Sequence, residues 1–473
     1  MEYFVKFNPI KISERPVKIL SIFAVLCSIL FLQGCAGLWP FGEERHFVQV
    51  RGTQFMINDQ PYYYAGTNFW YGCYIGSPGS TGDRDRLRNE LDSLVANGIT
   101  NLRVLGGSET GGLHSVKPAI TSKPGVYDDS LMLGLDYLLA EMEKRNMKAV
   151  IYFSNFWEWS GGFSEYISWA NGTSSFDPEK DGWDKFMTYS ATFYSNEKAN
   201  VYYRDYMKQI ITRKNHYTGR LYREDPTIMS WQLANEPRPG TNGPETEKNL
   251  PAFYRWIDET SGFIKSLDTL HLVSTGNEGL AGSYQNDECF LQGHRSRNVD
   301  YLTMHLWPYN WGWFNPKKAD STLPGTIEKA TEYINKHLVF ARTLNKPIVM
   351  EEFGIVRDNG DFSPETPVMV RDKYYSVIFD LVYDSARGGS PFAGTNFWAW
   401  GGSVRTKNPD YMWKIGDPFM GDPPQEPQGM NSVFISDRST LSLIREHAVK
   451  MTRLGVIDSL VRTPVDQFYR NGK

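Results

Sequence analysis

Two short stretches place carboxylates where acid is costly to bury. SWQLANEP carries Glu236 behind an amide, Asn235, and PIVMEEFG carries Glu351 and Glu352 at the end of an apolar run. A buried acid persists when its charge is paired or used. Two carboxylates facing one another across a cleft suit cleavage of a glycosidic bond: one gives a proton to the leaving oxygen, the other attacks or activates water. A separation near 5 Å makes the second group a nucleophile and retains the configuration. The spacing along the chain does not itself fix that distance.

Such groups need a scaffold that brings distant segments together. After a tether-like stretch, FVQVRGTQFMINDQPYYYAGTN predicts a hairpin turning at Asn58-Asp59, then a strand ending near Asn68. Helical spacing of Leu87, Leu91, Leu94 and Val95, stopped by Gly98, predicts a helix over 84–97. Strand-like and helix-like segments alternate from there: TNLRVL, a helix over 131–145, KAVIYFSN, a helix over 201–214, TIMSWQLANE, a helix over 251–267, HLVSTGNEG and YLTMHLWP with a poor helix between them, a helix over 326–344, PIVMEEF, a helix over 368–385, AGTNFWAWGG, and a last helix over 441–454. Several strands are continuous apolar runs, as parallel strands covered on both faces require. Eight such alternations predict an α/β fold, a (β/α)8 TIM barrel with an N-terminal hairpin and long loops at its C-terminal face.

In that fold functional groups sit at the C-terminal ends of the strands. Those ends read Asn68, Arg103, Asn155, Asn235 with Glu236, Asn277 with Glu278, His305, Glu351 with Glu352, and Trp398. A ring of polar groups at one end of an apolar barrel marks the functional mouth. Glu278 reads as a polar wall residue, and Asp358 to Asp361 as a solvated turn, not a cation site. Trp70, Trp157, Trp159, Trp307, Trp311 and Trp313 fall in the predicted mouth loops, a row of rings suited to the flat faces of a sugar polymer.

These segments resemble glycoside hydrolase family 5 of clan A, and within it the endo-β-1,4-mannanases. Besides the two glutamate motifs, GTNFWYG, NLRVLGGSE, NFWEWSGG, HLWPYNWGWF and DPPQEPQGMNSVF with the following STL are similar to mannanase segments, in order along most of the chain. The resemblance implies Glu236 as acid/base and Glu352 as nucleophile. It implies Asn235 at the sugar 2-hydroxyl, Arg103 and His305 around the nucleophile, and Trp398 as the floor under the sugar. The NFWEWSGG match makes Trp157 the strongest platform for a sugar ring, and Trp70 is expected to bind substrate as one of the mouth-loop rings. Many relatives have Tyr where this chain has Trp307, whose indole N–H is a donor in the same place. Glu directly before an aromatic residue and glycine selects Glu352 from the doublet, and Glu351 is then expected to face the helix layer or a neighbouring loop.

The implied activity is retaining endo-hydrolysis of β-1,4-mannosidic bonds in mannan, galactomannan or glucomannan, by a monomer needing neither metal nor organic cofactor. An endo-β-1,4-glucanase and a non-catalytic surface glycan-binding lipoprotein are the competing readings. Retention of both glutamates speaks against the binder.

The chain of 473 residues is 41% apolar and 14% aromatic, ample for one large core, and its formal charge is −4 with no basic block. That excludes nucleic acid as an expected partner. Lys6, Lys11, Arg15 and Lys18 precede the apolar run ILSIFAVLCSILFL, which is short for a membrane span. LQGC resembles a bacterial lipobox with Cys35 as the lipidated residue. The expected organisation is a signal over 1–34, a tether over 35–45 and one catalytic domain over 46–473. The protein is expected to be exported and anchored by lipid alone to a bacterial membrane, the outer one. Cys73 and Cys289 would remain, either paired, as export permits, or as two buried thiols.

Overall fold

The computed structural model describes residues 46–462, with side chains to residue 455. The signal, the tether and Cys35 lie outside the described residues. The N-terminal hairpin forms from Gln49–Arg51 and Gln54–Ile57, with Gln60–Pro61 as a third short strand. It turns at Asn58 and Asp59, both with positive φ (51° and 62°), the conformation a two-residue hairpin turn demands.

Eight parallel strands follow: β1 (Tyr64–Asn68), β2 (Asn101–Leu105), β3 (Lys148–Tyr152), β4 (Ile228–Gln232), β5 (Leu272–Ser274), β6 (Leu302–Leu306), β7 (Ile348–Phe353) and β8 (Phe392–Phe397). They hydrogen-bond in the order β5-β4-β3-β2-β1-β8-β7-β6. The remaining edge, between β5 and β6, is joined by single bonds, Asp300 N to Val273 O at 2.7 Å and His305 N to Glu278 O at 2.9 Å. The result is the expected (β/α)8 barrel. Every residue of β1, β2, β4, β6, β7 and β8 is buried, which accounts for their continuous apolar character.

The helices that cover the sheet are α1 (Arg84–Ala96), α2 (Asp129–Glu143), α3 (Glu197–Ile211), α4 (Glu245–Leu267), α5 (Asp287–His294), α6 (Ala319–Leu344), α7 (Met369–Arg387) and α8 (Arg438–Arg462). Asp83, Asp128, Asn196 and Asn286 cap four of their N-termini with side-chain oxygens. The poor helix between β5 and β6 is the eight-residue α5. Prolines near the predicted starts of α4 and α6 lie inside those helices, at Pro251 and Pro324, so both begin earlier than their apolar spacing shows. Cys73 and Cys289 are separate buried thiols, not a disulfide.

One strand departs from regular pairing. Across β6 and β7, Met304 pairs with Met350 but His305 pairs with Glu352, so Glu351 is an extra residue on β7. Such a bulge re-aims the side chains after it.

Candidate active site

Beyond β4 the backbone is held from both sides: Asn235 N donates to Ser154 O at 2.8 Å and Glu236 N to Gly276 O at 2.9 Å. Glu236 sits at φ 50°, a left-handed conformation a non-glycine residue adopts only when its surroundings enforce it. Gly276 permits the approach, since a Cβ there would lie 2.0 Å from the Ala234 carbonyl oxygen. The acid is thus aimed by its backbone before its side chain makes any contact.

Arg103 on β2 organises the floor. Its fully buried guanidinium donates to Asn68 Oδ1 (3.1 Å), Gln232 Oε1 (2.8 Å), Asn235 Oδ1 (2.7 Å) and the Glu352 carboxylate. Glu351 lies 3.7 Å from the same group and accepts from Gln232 Nε2 at 2.5 Å and from the Tyr301 hydroxyl at 3.3 Å. This corrects the expectation that Glu351 faces the helix layer. The β7 bulge breaks strict alternation and turns both acids into the barrel, one above the other. Glu351 has both a basic and an N–H partner there, Arg103 and Gln232.

His305 Nδ1 lies 2.5 Å from Glu236 Oε1 and 3.3 Å from Glu352 Oε2. One ligand-type atom from each of these three residues lies within 4.8 Å of the others. Three such atoms have the spacing of a metal site, but the Arg103 guanidinium already occupies the Glu352 carboxylate and opposes a further cation there. Burial drives the His305 imidazole well below its ordinary range, with Arg103 adding to the effect, so it stays neutral. Burial raises the Glu236 carboxyl, opposed by Arg238, the Trp157 N–H, Arg103 and the Trp307 indole. It also raises Glu352, where Arg103 pulls down and the charge of Glu236 pushes up. Two such carboxyls titrate as a pair.

The pair opens onto a cavity of about 620 Å3 lined by Trp157, Trp159, Trp183, Trp307, Trp311 and Trp398 among others. Trp157 Nε1 donates to Glu236 Oε2 at 2.5 Å, and its ring lies under the Arg238 guanidinium, 5.0 Å from the centroid. Trp307 and Trp398 meet edge to face at 5.9 Å, and the Trp307 indole favours the ionised form of Glu236. Glu278 is a wall residue, as expected, bonded to Arg238 and to Trp311 Nε1.

Trp70 is a correction. It is 1% exposed, donates to the Gly421 carbonyl at 2.8 Å and packs against Trp159 and Phe419 behind the cavity wall. Sequence reasoning passed over Arg238, Trp183, Glu158 and Glu426, all of which line the cavity. Arg238 was open to detection, standing two residues after Glu236.

A (β/α)8 barrel with a buried carboxylate pair under a tryptophan-lined cleft defines a glycoside hydrolase. The chain matches the GH family 5 beta-mannosidase-like family over residues 45–455, and it belongs to that family. Mannan endo-1,4-beta-mannosidase 5 of Arabidopsis thaliana is 30% identical over 407 residues, covering 81% of this chain and 86% of that protein. The crystal structure of a glycoside hydrolase family 5 mannosidase from Rhizomucor miehei superposes with a TM-score of 0.80 at 35% identity, covering 88% of this chain and 99% of that one. An endo-beta-1,4-mannanase from Thermotoga petrophila superposes with a TM-score of 0.63 at 25% identity, over 83% of this chain and 77% of that one.

Proposed function

We propose that the protein hydrolyses internal β-1,4-mannosidic bonds with retention of configuration, with Glu352 as nucleophile and Glu236 as acid/base. The observation that carries this is the placement of the two carboxylates with His305 between them, all three within 4.8 Å by one atom each. That closeness favours the short carboxyl separation of retaining enzymes over the wider one that leaves room for a water. Relatives named as mannan endo-1,4-beta-mannosidases support the substrate, and a similar structure was solved with mannosyl-fructose.

Arg103 bonds Glu352 directly, whereas Arg238, the cation near Glu236, bonds Glu278. The proton shared by the pair therefore resides on Glu236. Glu352 attacks the anomeric carbon, the glycosidic C–O bond breaks, and Glu236 gives its proton to the leaving oxygen. A water then attacks the same carbon as Glu236 takes one of its protons, and Glu352 is released as carboxylate. Neutral His305 spaces the two acids without adding charge. Asn235 is fixed by Arg103 and Asn155, ready for the 2-hydroxyl, over Trp398 as floor.

Digestion of mannohexaose, with products sized and their anomeric form followed by NMR, tests the proposal. Internal cleavage with β-anomer released first supports it. Release of single mannose units from one end would replace the endo reading, and cleavage of carboxymethylcellulose in preference to galactomannan would replace the substrate.

The same proposal places the enzyme on a bacterial membrane, exported by residues 1–34, anchored through lipid on Cys35 and tethered by residues up to 45. The basic segment, the 14-residue apolar run and LQGC support this. Mass spectrometry of the mature N-terminus checks it, and an unmodified Cys35 would refute it.

A further inference from the structure

Glu109 is a buried acid that the reaction described above leaves without a part. It stands in the loop after β2, is fully buried, and is not among the residues that line the cavity. The titratable groups around it are Tyr74, Tyr166, Tyr203, Tyr206 and Glu165, none of them a cation. Burying a carboxyl among such neighbours is costly, so its retention calls for a use.

What the carboxyl holds is the segment after β3. Its Oε2 accepts from Gly162 N at 2.8 Å, and its Oε1 accepts from the Ser154 hydroxyl at 3.2 Å. Trp157 and Trp159 lie between those two ends. The Glu109 N–H donates to Ser160 O at 2.7 Å. Gly161 sits at φ 89°, where a Cβ would lie 2.3 Å from the Glu109 carbonyl oxygen. The segment is thus pressed against this one residue. Inside the clasp the bonds run on to the acid/base. Asn155 Nδ2 donates to Ser160 Oγ at 3.2 Å, Trp157 N donates to Asn155 Oδ1 at 3.0 Å, and Trp157 Nε1 donates to Glu236 Oε2.

We propose that Glu109 is a positioning residue for the acid/base: by tying together the two ends of segment 154–162, it sets where the Trp157 N–H meets Glu236. The side chain acts through its bonds, not through its charge. Burial pushes the carboxyl up to about 8. Below that pH it is a neutral acid, which accepts from Gly162 N through one oxygen and donates from the other to Ser154 Oγ. Glutamine offers the same acceptor and the same donor in nearly the same shape. Alanine offers neither, and Gly162 N must then find another acceptor. The segment has to shift to supply one, and Trp157 shifts with it.

This inference rests on the reading of Glu236 as the acid/base of a β-mannan hydrolase. The pH profile of kcat/KM on mannohexaose is measured for wild type, Glu109→Ala, Glu109→Gln, Trp157→Phe and the double variant Glu109→Ala/Trp157→Phe. Circular dichroism confirms the fold of each. The Trp157 N–H favours the ionised form of Glu236, so displacing it should let the acid/base keep its proton to higher pH. Glu109→Ala is expected to lower kcat/KM roughly tenfold and to move the alkaline limb upward by about half a pH unit or more. Glu109→Gln should leave the limb at its wild-type position. In the Trp157→Phe background Glu109→Ala should add no further shift, because the bond through which it acts is already gone. A limb unmoved by Glu109→Ala in a folded protein would overturn the inference, as would a shift that adds in full to that of Trp157→Phe. A limb moved by Glu109→Gln would overturn it too, since the effect would then belong to the charge. Should Glu109→Ala not fold, Glu109→Asp, one methylene shorter, carries the same two expectations. A wild type inert on every β-mannoside would instead remove the hydrolase reading, and the inference with it.

Discussion

His305 stands in register with Glu352 across β6 and β7, one step after Met304 has paired with Met350. That skipped residue is the reason the nucleophile candidate faces the acid/base candidate. Without it, alternation along β7 would send Glu351 and Glu352 to opposite faces, and Arg103 could not approach both.

Replacing Glu352 by Gln should reduce turnover of mannohexaose roughly ten-thousandfold or more, since the attacking oxygen is lost outright. The fold should be retained, because Glu351 still lies 3.7 Å from the Arg103 guanidinium. Stopped assays with circular dichroism check both. A variant with more than one-tenth of wild-type turnover contradicts the nucleophile assignment.

Glu351→Gln is a different experiment on the adjacent residue. The carboxylate accepts from Gln232 and Tyr301 beside Arg103, and an amide turns a donor toward donors. Stability should fall by about 1–3 kcal/mol, read from urea unfolding. Its loss of activity should be far smaller than that of Glu352→Gln.

Arg103→Lys replaces a fork that reaches four side chains with a point charge. Arg103 opposes the upward push of burial on the Glu352 carboxyl, so weakening it raises that group further. The acidic limb of the pH profile for kcat/KM should therefore move to higher pH. An unmoved acidic limb would show that Arg103 does not set the charge of Glu352.

Trp157→Phe keeps a ring in the cleft and removes the N–H that bonds Glu236 Oε2. That bond favours the ionised form, so its loss should let Glu236 keep its proton to higher pH. The alkaline limb should shift upward. A shift downward would contradict the assignment of Glu236 as the proton donor.

Stability should be highest on a plateau between about pH 4.5 and 6.5. Burial drives His294 and His447 down to about 3 and His337 down to about 4, from an ordinary 6.5. The unfolded chain therefore binds more protons below 6.5, and stability is lost as pH falls. Glu109 and Glu426, raised to about 8, and Glu158, raised to about 7, act in the opposite sense. At these carboxyls the folded state holds the extra protons from about pH 4.5 upward, which offsets the histidines until about 6.5 and makes stability decline from there toward pH 8. Glu109→Gln should flatten that decline in melting-temperature series. A melting temperature that rises from pH 6.5 to 8 would refute this.

The barrel and most of its mouth were legible in the chain because both are written in local pattern. Apolar runs mark the strands, and an amide or acid at the end of each run marks the mouth. Asn58-Asp59 announced its turn by residue type alone. Orientation was not legible where a bulge intervenes, and Glu351 shows why: parity counting assumes a regular strand. Nor was burial legible in loops. Trp70 and Trp157 look alike in sequence, and only the loop after β8, which carries Gly421, decides that Trp70 is covered. Glu426 sits in a segment whose resemblance was seen, but its place in the cavity wall depends on how that loop folds around the Asp422 carboxylate.

The bonds of Arg103 have a consequence for how this protein can be divided. Its guanidinium is satisfied by Asn68 on β1, Gln232 on β4, Asn235 just beyond and Glu352 on β7. A fragment ending after β4 would hold Arg103 but lack its carboxylate; the complementary fragment would hold Glu352 without Arg103. Each half would bury a net charge of opposite sign, and each charge has its cure only in the other. Mixed half-barrels should therefore seek one another, and recovered hydrolysis would report the moment the ring closes.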